Sequence, residues 1–111
     1  MLHQGRKFVK RFDANTYLRV VDAWQRFDLV DEAKARSLED LFSRCREQRY
    51  LIFSIDSDVC FYPDQQAEMA RMLSANGVPN MHITVHSSKG HDAFLTEPEL
   101  FTPHLVYALE K

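Results

Sequence analysis

Apolar and polar positions along the chain alternate in three distinct rhythms. After Asp13, the segment "ANTYLRVVDAWQRF" sets Ala14, Tyr17, Leu18, Val21 and Trp24 mostly three or four apart. That spacing gives a helix one apolar stripe, with Asp13 as its N-cap. Upstream, "RKFVKRF" reads as the end of another helix, broken near Phe12 and Asp13. "DLVDEAKAR" is polar and reads as a connection. Ser37 followed by Asp40 has capping-box spacing and opens a short helix, "LEDLFSRCR".

The rhythm changes at Tyr50. "YLIFSI" is a nearly continuous apolar run, as expected of a strand covered on both faces. A polar and aromatic loop, "DSDVCFYPD", follows. Pro63 then suits the first turn of a helix, where its missing N–H goes unmissed. Ala67, Ala70, Met72, Leu73 and Ala75 continue that helix, Asn76-Gly77 ends it, and Pro79 blocks a restart. "MHITVH" reads as a second strand, with His82 and His86 alternating against Ile83 and Val85. Beyond "GHD", a last helix is expected over "PELFTPHLVYALEK", with Leu100, Leu105, Val106 and Tyr107 toward the sheet and Pro103 early in it or kinking it.

Strand, helix, strand is a βαβ unit, so the fold class is α/β with parallel strands and a right-handed crossover. Two parallel strands are too few to stand alone, because open edges leave backbone groups unpaired. The chain is therefore expected to be part of a larger domain or to pair with another chain.

Composition narrows the chemistry. The 111 residues are 45% hydrophobic with a net charge of -2, which describes a soluble domain without the basic excess that nucleic acid requires. No run is long enough to span a membrane, and the first residues lack the apolar core of a signal peptide. Cys45 and Cys60 have no metal-ligand spacing, so no zinc is expected. Two buried thiols in a reduced cytoplasmic protein are expected instead. His82 and His86 share a strand face but lie too far apart to hold a metal together.

Ligands of open α/β sheets collect at the carboxyl ends of the strands. Here the first strand runs into Asp56-Ser57-Asp58 and the second into His91-Asp92, and parallel neighbours bring both loops to one rim. A carboxylate beside an imidazole is the orienting half of a nucleophilic triad. Asp58 before His91 also fits the chain order Ser, Asp, His, with the serine upstream of Met1. Taken singly, Asp58 reads more readily as a strand end or an Asx turn, His91 as a loop or N-cap histidine and Asp92 as a cap. It is their joint placement that favours chemistry.

"RFDANTYL", "SIDSD" followed by "FYPDQQ", and "GHDAFLTEPELF" resemble, in the same order, the C-terminal part of the homoserine O-acetyltransferase family. The resemblance runs nearly end to end and implies a C-terminal fragment of an α/β-hydrolase fold. Residues 1–36 would be the end of a helical lid used in dimerisation, and residues 37–111 the C-terminal part of the core. It implies Asp58 as triad acid, His91 as triad base and Asp92 as the group holding the substrate amino group. The family moves an acetyl group from acetyl-CoA to a serine and then to the homoserine hydroxyl, toward methionine, with no bound cofactor. Related members use succinyl-CoA or act on serine. Val59, Cys60 and Lys89 depart from residues common in the family. With only Gly5, Gly77 and Gly90, the chain has no G-x-S-x-G elbow. Alone it is expected to be inactive, since losing the nucleophile costs about 10⁶-fold. A homodimer, or assembly with the missing N-terminal portion, is expected. The competing readings are a non-catalytic dimerising module and an esterase of the same fold.

Overall fold

The computed structural model describes residues 2–110, with the side chain of Leu2 left aside. The chain divides into two compact units between Arg36 and Ser37.

The first unit holds α1 (Leu2–Arg11), α2 (Ala14–Arg26) and α3 (Leu29–Glu32). Asp13 caps α2 as expected, accepting the Thr16 N–H at 2.9 Å. Phe8 stacks on Phe12 at 5.4 Å between ring centroids and meets Tyr17 edge-on at 6.0 Å, which joins α1 to α2. No residue of α2 is buried, and Tyr17, Leu18 and Trp24 of its stripe are exposed. The expected connection "DLVDEAKAR" contains α3, because Asp28 accepts the N–H groups of Val30 (2.8 Å) and Asp31 (3.1 Å). Lys34, at φ 48°, then ends α3, with Ala35 N–H returning to Val30 O at 2.9 Å.

The second unit contains α4 (Leu38–Ser43), β1 (Tyr50–Ile55), α5 (Pro63–Ala75), β2 (Asn80–Val85), α6 (Ala93–Thr96) and α7 (Thr102–Leu109). Ser37 caps α4 by accepting the Asp40 N–H at 3.2 Å, and Asp40 pairs with Arg44 one turn on. β1 and β2 are parallel, in register from Tyr50↔Asn80 to Ile55↔Val85. The second strand begins one residue earlier than expected and ends one earlier, because Asn80 pairs with Tyr50 while His86 leaves the ladder. Pro63 opens α5, and Gly77, at φ 71°, follows its C-cap Asn76. Arg46 Nε donates to Asn76 O at 3.0 Å, satisfying a carbonyl at that end.

The α5 helix packs on both strands, and its Leu73 is fully buried. On one sheet face Ile55 and Val85 form a core with Ala93 and Phe101, and Phe53 and Ile83 pack against it. Phe53 meets Phe101 edge-on at 5.1 Å. Period-two alternation puts Ile52, Ser54 and His82 on the other face.

The last helix departs from expectation. Pro98–Leu100 is a separate 3₁₀ turn, and α7 starts at Thr102 with Pro103 in its first turn. Phe101, rather than Leu100, Leu105, Val106 or Tyr107, is the residue buried on the sheet, and those four are exposed. The two thiols are not both buried either. Cys60 is exposed within the turn after β1, while Cys45 is half-buried with its Sγ 3.5 Å from Leu41 O.

Candidate active site

Both strands finish at the same level. Asp56 N–H donates to Val85 O at 3.1 Å as the last rung, and Asp58 N–H then turns back to Ile55 O at 3.0 Å. The turn buries Asp58, which is only 6% exposed. Its two carboxylate oxygens divide the work. Oδ1 accepts the N–H groups of Cys60 (2.8 Å) and Phe61 (3.0 Å), while Oδ2 lies 2.9 Å from His91 Nδ1. The Asx turn and the histidine partner, competing readings of the sequence, are both realised by one side chain.

Burial pushes the Asp58 carboxyl up. The Phe61 N–H, the His91 hydrogen bond and charge, and the Cys60 N–H outweigh it and hold the group below its ordinary value. An ionised carboxylate only accepts, so the proton between the two residues belongs on His91 Nδ1. In the neutral imidazole this tautomer leaves the lone pair on Nε2, where a general base needs it. No hydroxyl or thiol among the described residues is hydrogen-bonded to that nitrogen.

The imidazole sits between two aromatic rings. Phe61 lies 5.1 Å from it and Phe94 5.6 Å, centroid to centroid. Neither ring stood out in the sequence, because both lie in loop or short-helix segments without periodicity. Gly90, just before His91, has φ 64°, and with His91 and Asp92 it forms a 3₁₀ turn leading into α6. Asp92 occupies the N-cap position of α6 yet makes no side-chain cap hydrogen bond, and it is exposed. The cap reading of Asp92 therefore fails, and its carboxylate is open to solvent beside the pair.

Two further contacts were not apparent in the sequence. Asp56 Oδ2 lies 2.9 Å from His86 Nδ1, and Asp56 Oδ1 accepts the Ser87 N–H at 3.0 Å. The His86 bond, helped by that N–H, lowers the Asp56 carboxyl below its ordinary range. On the sheet itself, Ser54 Oγ and His82 Nε2 are 2.6 Å apart, which partners both polar groups. Among the described residues no three His, Cys, Asp or Glu side chains form a metal-binding group. Likewise no helix there is long and apolar enough to cross a membrane.

These elements define an α/β protein with a carboxylate and an imidazole paired at the carboxyl ends of two parallel strands. No family model matches the chain. It is 44% identical over 95 residues to homoserine O-acetyltransferase of Methanosarcina acetivorans, covering 86% of this chain and 17% of that protein. It is 39% identical over 110 residues to homoserine O-acetyltransferase of Geotalea daltonii, covering 98% of this chain and 29% of the relative. Homoserine O-succinyltransferase of Alkalilimnicola ehrlichii is 38% identical over 102 residues, 90% of this chain and 26% of that protein. The expected resemblance is thus borne out: over most of its length the chain is homologous to homoserine O-acyltransferases. It spans 17–29% of the length of these relatives.

Proposed function

We propose that the chain is the C-terminal part of a homoserine O-acetyltransferase of the α/β-hydrolase fold and supplies two members of its catalytic triad. Asp58 fixes the tautomer of His91 and stabilises the imidazolium. His91 Nε2 takes the proton of a serine hydroxyl as that oxygen attacks the acetyl-CoA thioester, and passes it to the departing CoA thiolate. It then takes the proton of the homoserine hydroxyl as that oxygen attacks the acyl-enzyme ester, and returns it to the released serine. Asp92 binds the homoserine amino group. The serine, its oxyanion hole and the CoA-binding residues belong to the rest of the enzyme, so this chain alone does not turn over. The carrying observation is the 2.9 Å contact between buried Asp58 and His91 Nδ1, with Nε2 left available. Residues 1–36 act as the end of a helical lid that dimerises through the apolar stripe of α2. The completed enzyme works in the cytoplasm on homoserine and acetyl-CoA.

The test is to combine the chain with the remaining part of the enzyme and assay acetyl-CoA-dependent acylation of homoserine. Transfer that vanishes with His91→Ala supports the proposal. A folded assembly without transfer overturns it. Exposure of Tyr17, Leu18 and Trp24 also favours a second reading, a dimerising module without chemistry. That reading requires biological activity to survive Asp58→Ala with His91→Ala.

A further inference from the structure

Ser57 stands between the two polar contacts of its turn and makes a third of its own. Its Oγ donates to Ser87 O at 2.5 Å and accepts the Gly90 N–H at 2.9 Å. One hydroxyl thereby holds both ends of the segment Ser87–Gly90. Ser57 directly precedes Asp58, and Gly90 directly precedes His91. The span between carboxylate and imidazole is thus bridged one residue back on each side.

We propose that Ser57 is the positioning residue of the Asp58–His91 pair: its hydroxyl ties the turn carrying the carboxylate to the loop carrying the imidazole. The catalytic meaning of this clamp rests on the acyl-transfer reading above. The far side of the loop is held separately. Ser87 Oγ donates to Glu97 and accepts the Lys89 N–H at 3.0 Å, while Ser87 N–H is anchored on Asp56. Those bonds shape the loop within itself and toward β1. Among the described residues, only the Ser57 hydroxyl links the residue before Asp58 to the residue before His91. Alanine at this position removes a donor and an acceptor together and leaves the Gly90 N–H without its partner. Threonine keeps both functions. Cysteine fills similar space but accepts an N–H poorly.

The experiment uses the whole chain, labelled with ¹³C at aspartate carboxyls, and follows the Asp58 titration by NMR. In Ser57→Ala and Ser57→Cys, His91 drifts from Oδ2 and the Asp58 midpoint rises by roughly one pH unit. In Ser57→Thr the midpoint stays with the parent. A folded Ser57→Ala variant titrating like the parent overturns the proposal, as does Ser57→Thr shifting as far as Ser57→Ala. Should Ser57→Ala fail to fold, Ser57→Cys decides. Unfolding of both, with Ser57→Thr intact, replaces positioning with a purely structural role. Since titration rather than turnover is read, absence of acyl transfer in the completed enzyme defeats the proposed function and leaves the clamp standing. An unmoved titration does the reverse.

Discussion

Asp56 and His86 pair at the same strand ends as Asp58 and His91, with the same 2.9 Å separation, but in solvent rather than under cover. Two positions along the turn that follows β1 separate an exposed carboxylate from a buried one. The distinction matters because a screened pair contributes little, whereas a buried carboxylate holds its partner in one orientation. In the completed enzyme, Asp58→Asn is expected to lower kcat roughly 10⁴-fold, through the wrong imidazole tautomer. Asp56→Asn should leave kcat within a few-fold. Steady-state kinetics on the two variants decides, and equal losses would remove the special status of Asp58.

Acid should weaken the second unit through these same groups. Asp58 and Asp56 both titrate below the ordinary 3.8 in the folded chain. Near that value the unfolded chain therefore binds more protons than the folded one. Their stabilisation is present above the unfolded pKa and is lost as pH falls through the folded one. Urea unfolding between about pH 6 and pH 3 should show stability falling with acid. In Asp58→Asn that dependence should be shallower, and an identical slope in parent and variant would contradict the assignment.

Leu73 should be the most sensitive apolar position of α5. It is fully buried where the helix meets the sheet, so Leu73→Ala should cost about 2–5 kcal/mol. Leu109 of α7 is 84% exposed, and Leu109→Ala should stay within about 0.5 kcal/mol. Chemical denaturation of both variants tests the contrast.

Glycine replacements should have opposite signs. At Gly90 an added Cβ meets nothing closer than Ser57 O at 3.6 Å, so space is adequate, but φ 64° is strained for alanine. Gly90→Ala should cost about 1–2 kcal/mol, and Gly90→Asn less, since asparagine tolerates that region. Gly5, within α1, has nothing within 4 Å of the added atom. Gly5→Ala should stabilise α1 by about 0.5–1 kcal/mol. Thermal melts followed by circular dichroism compare the three variants.

The legible parts of the sequence were those set by local chemistry. Asp13, Ser37, Pro63 and Gly77 each mark a helix end by a backbone rule that needs no tertiary context, and each stands where it was expected. "YLIFSI" was legible because its apolar run is strand-sized. Less legible were features settled by packing. Phe101 is buried because Phe53 and Ala93 offer it a place, which no periodicity in "PELFTPHLVYALEK" announces. Pro103 fits a helical first turn as well as Pro98 does, so pattern alone chose the wrong start. Asp28 gives no such signal, because the four-residue helix that it caps is too short to show an apolar stripe. At the site, the meeting of Asp58 and His91 followed from parallel strands. The rings of Phe61 and Phe94, and the clamp of Ser57, depend on loop geometry that strand order does not encode.

The flush finish of β1 and β2, Ile55 facing Val85, reaches beyond these two strands. Any further parallel strand that bonds alongside adopts their rise and spacing, about 4.8 Å away. Its terminal residue is then delivered to the rim by main-chain bonding alone, before any side chain recognises another. Sheet growth would do the work of assembling the chemistry, and a slip of one residue during that growth would turn every side chain of the newcomer to the wrong face.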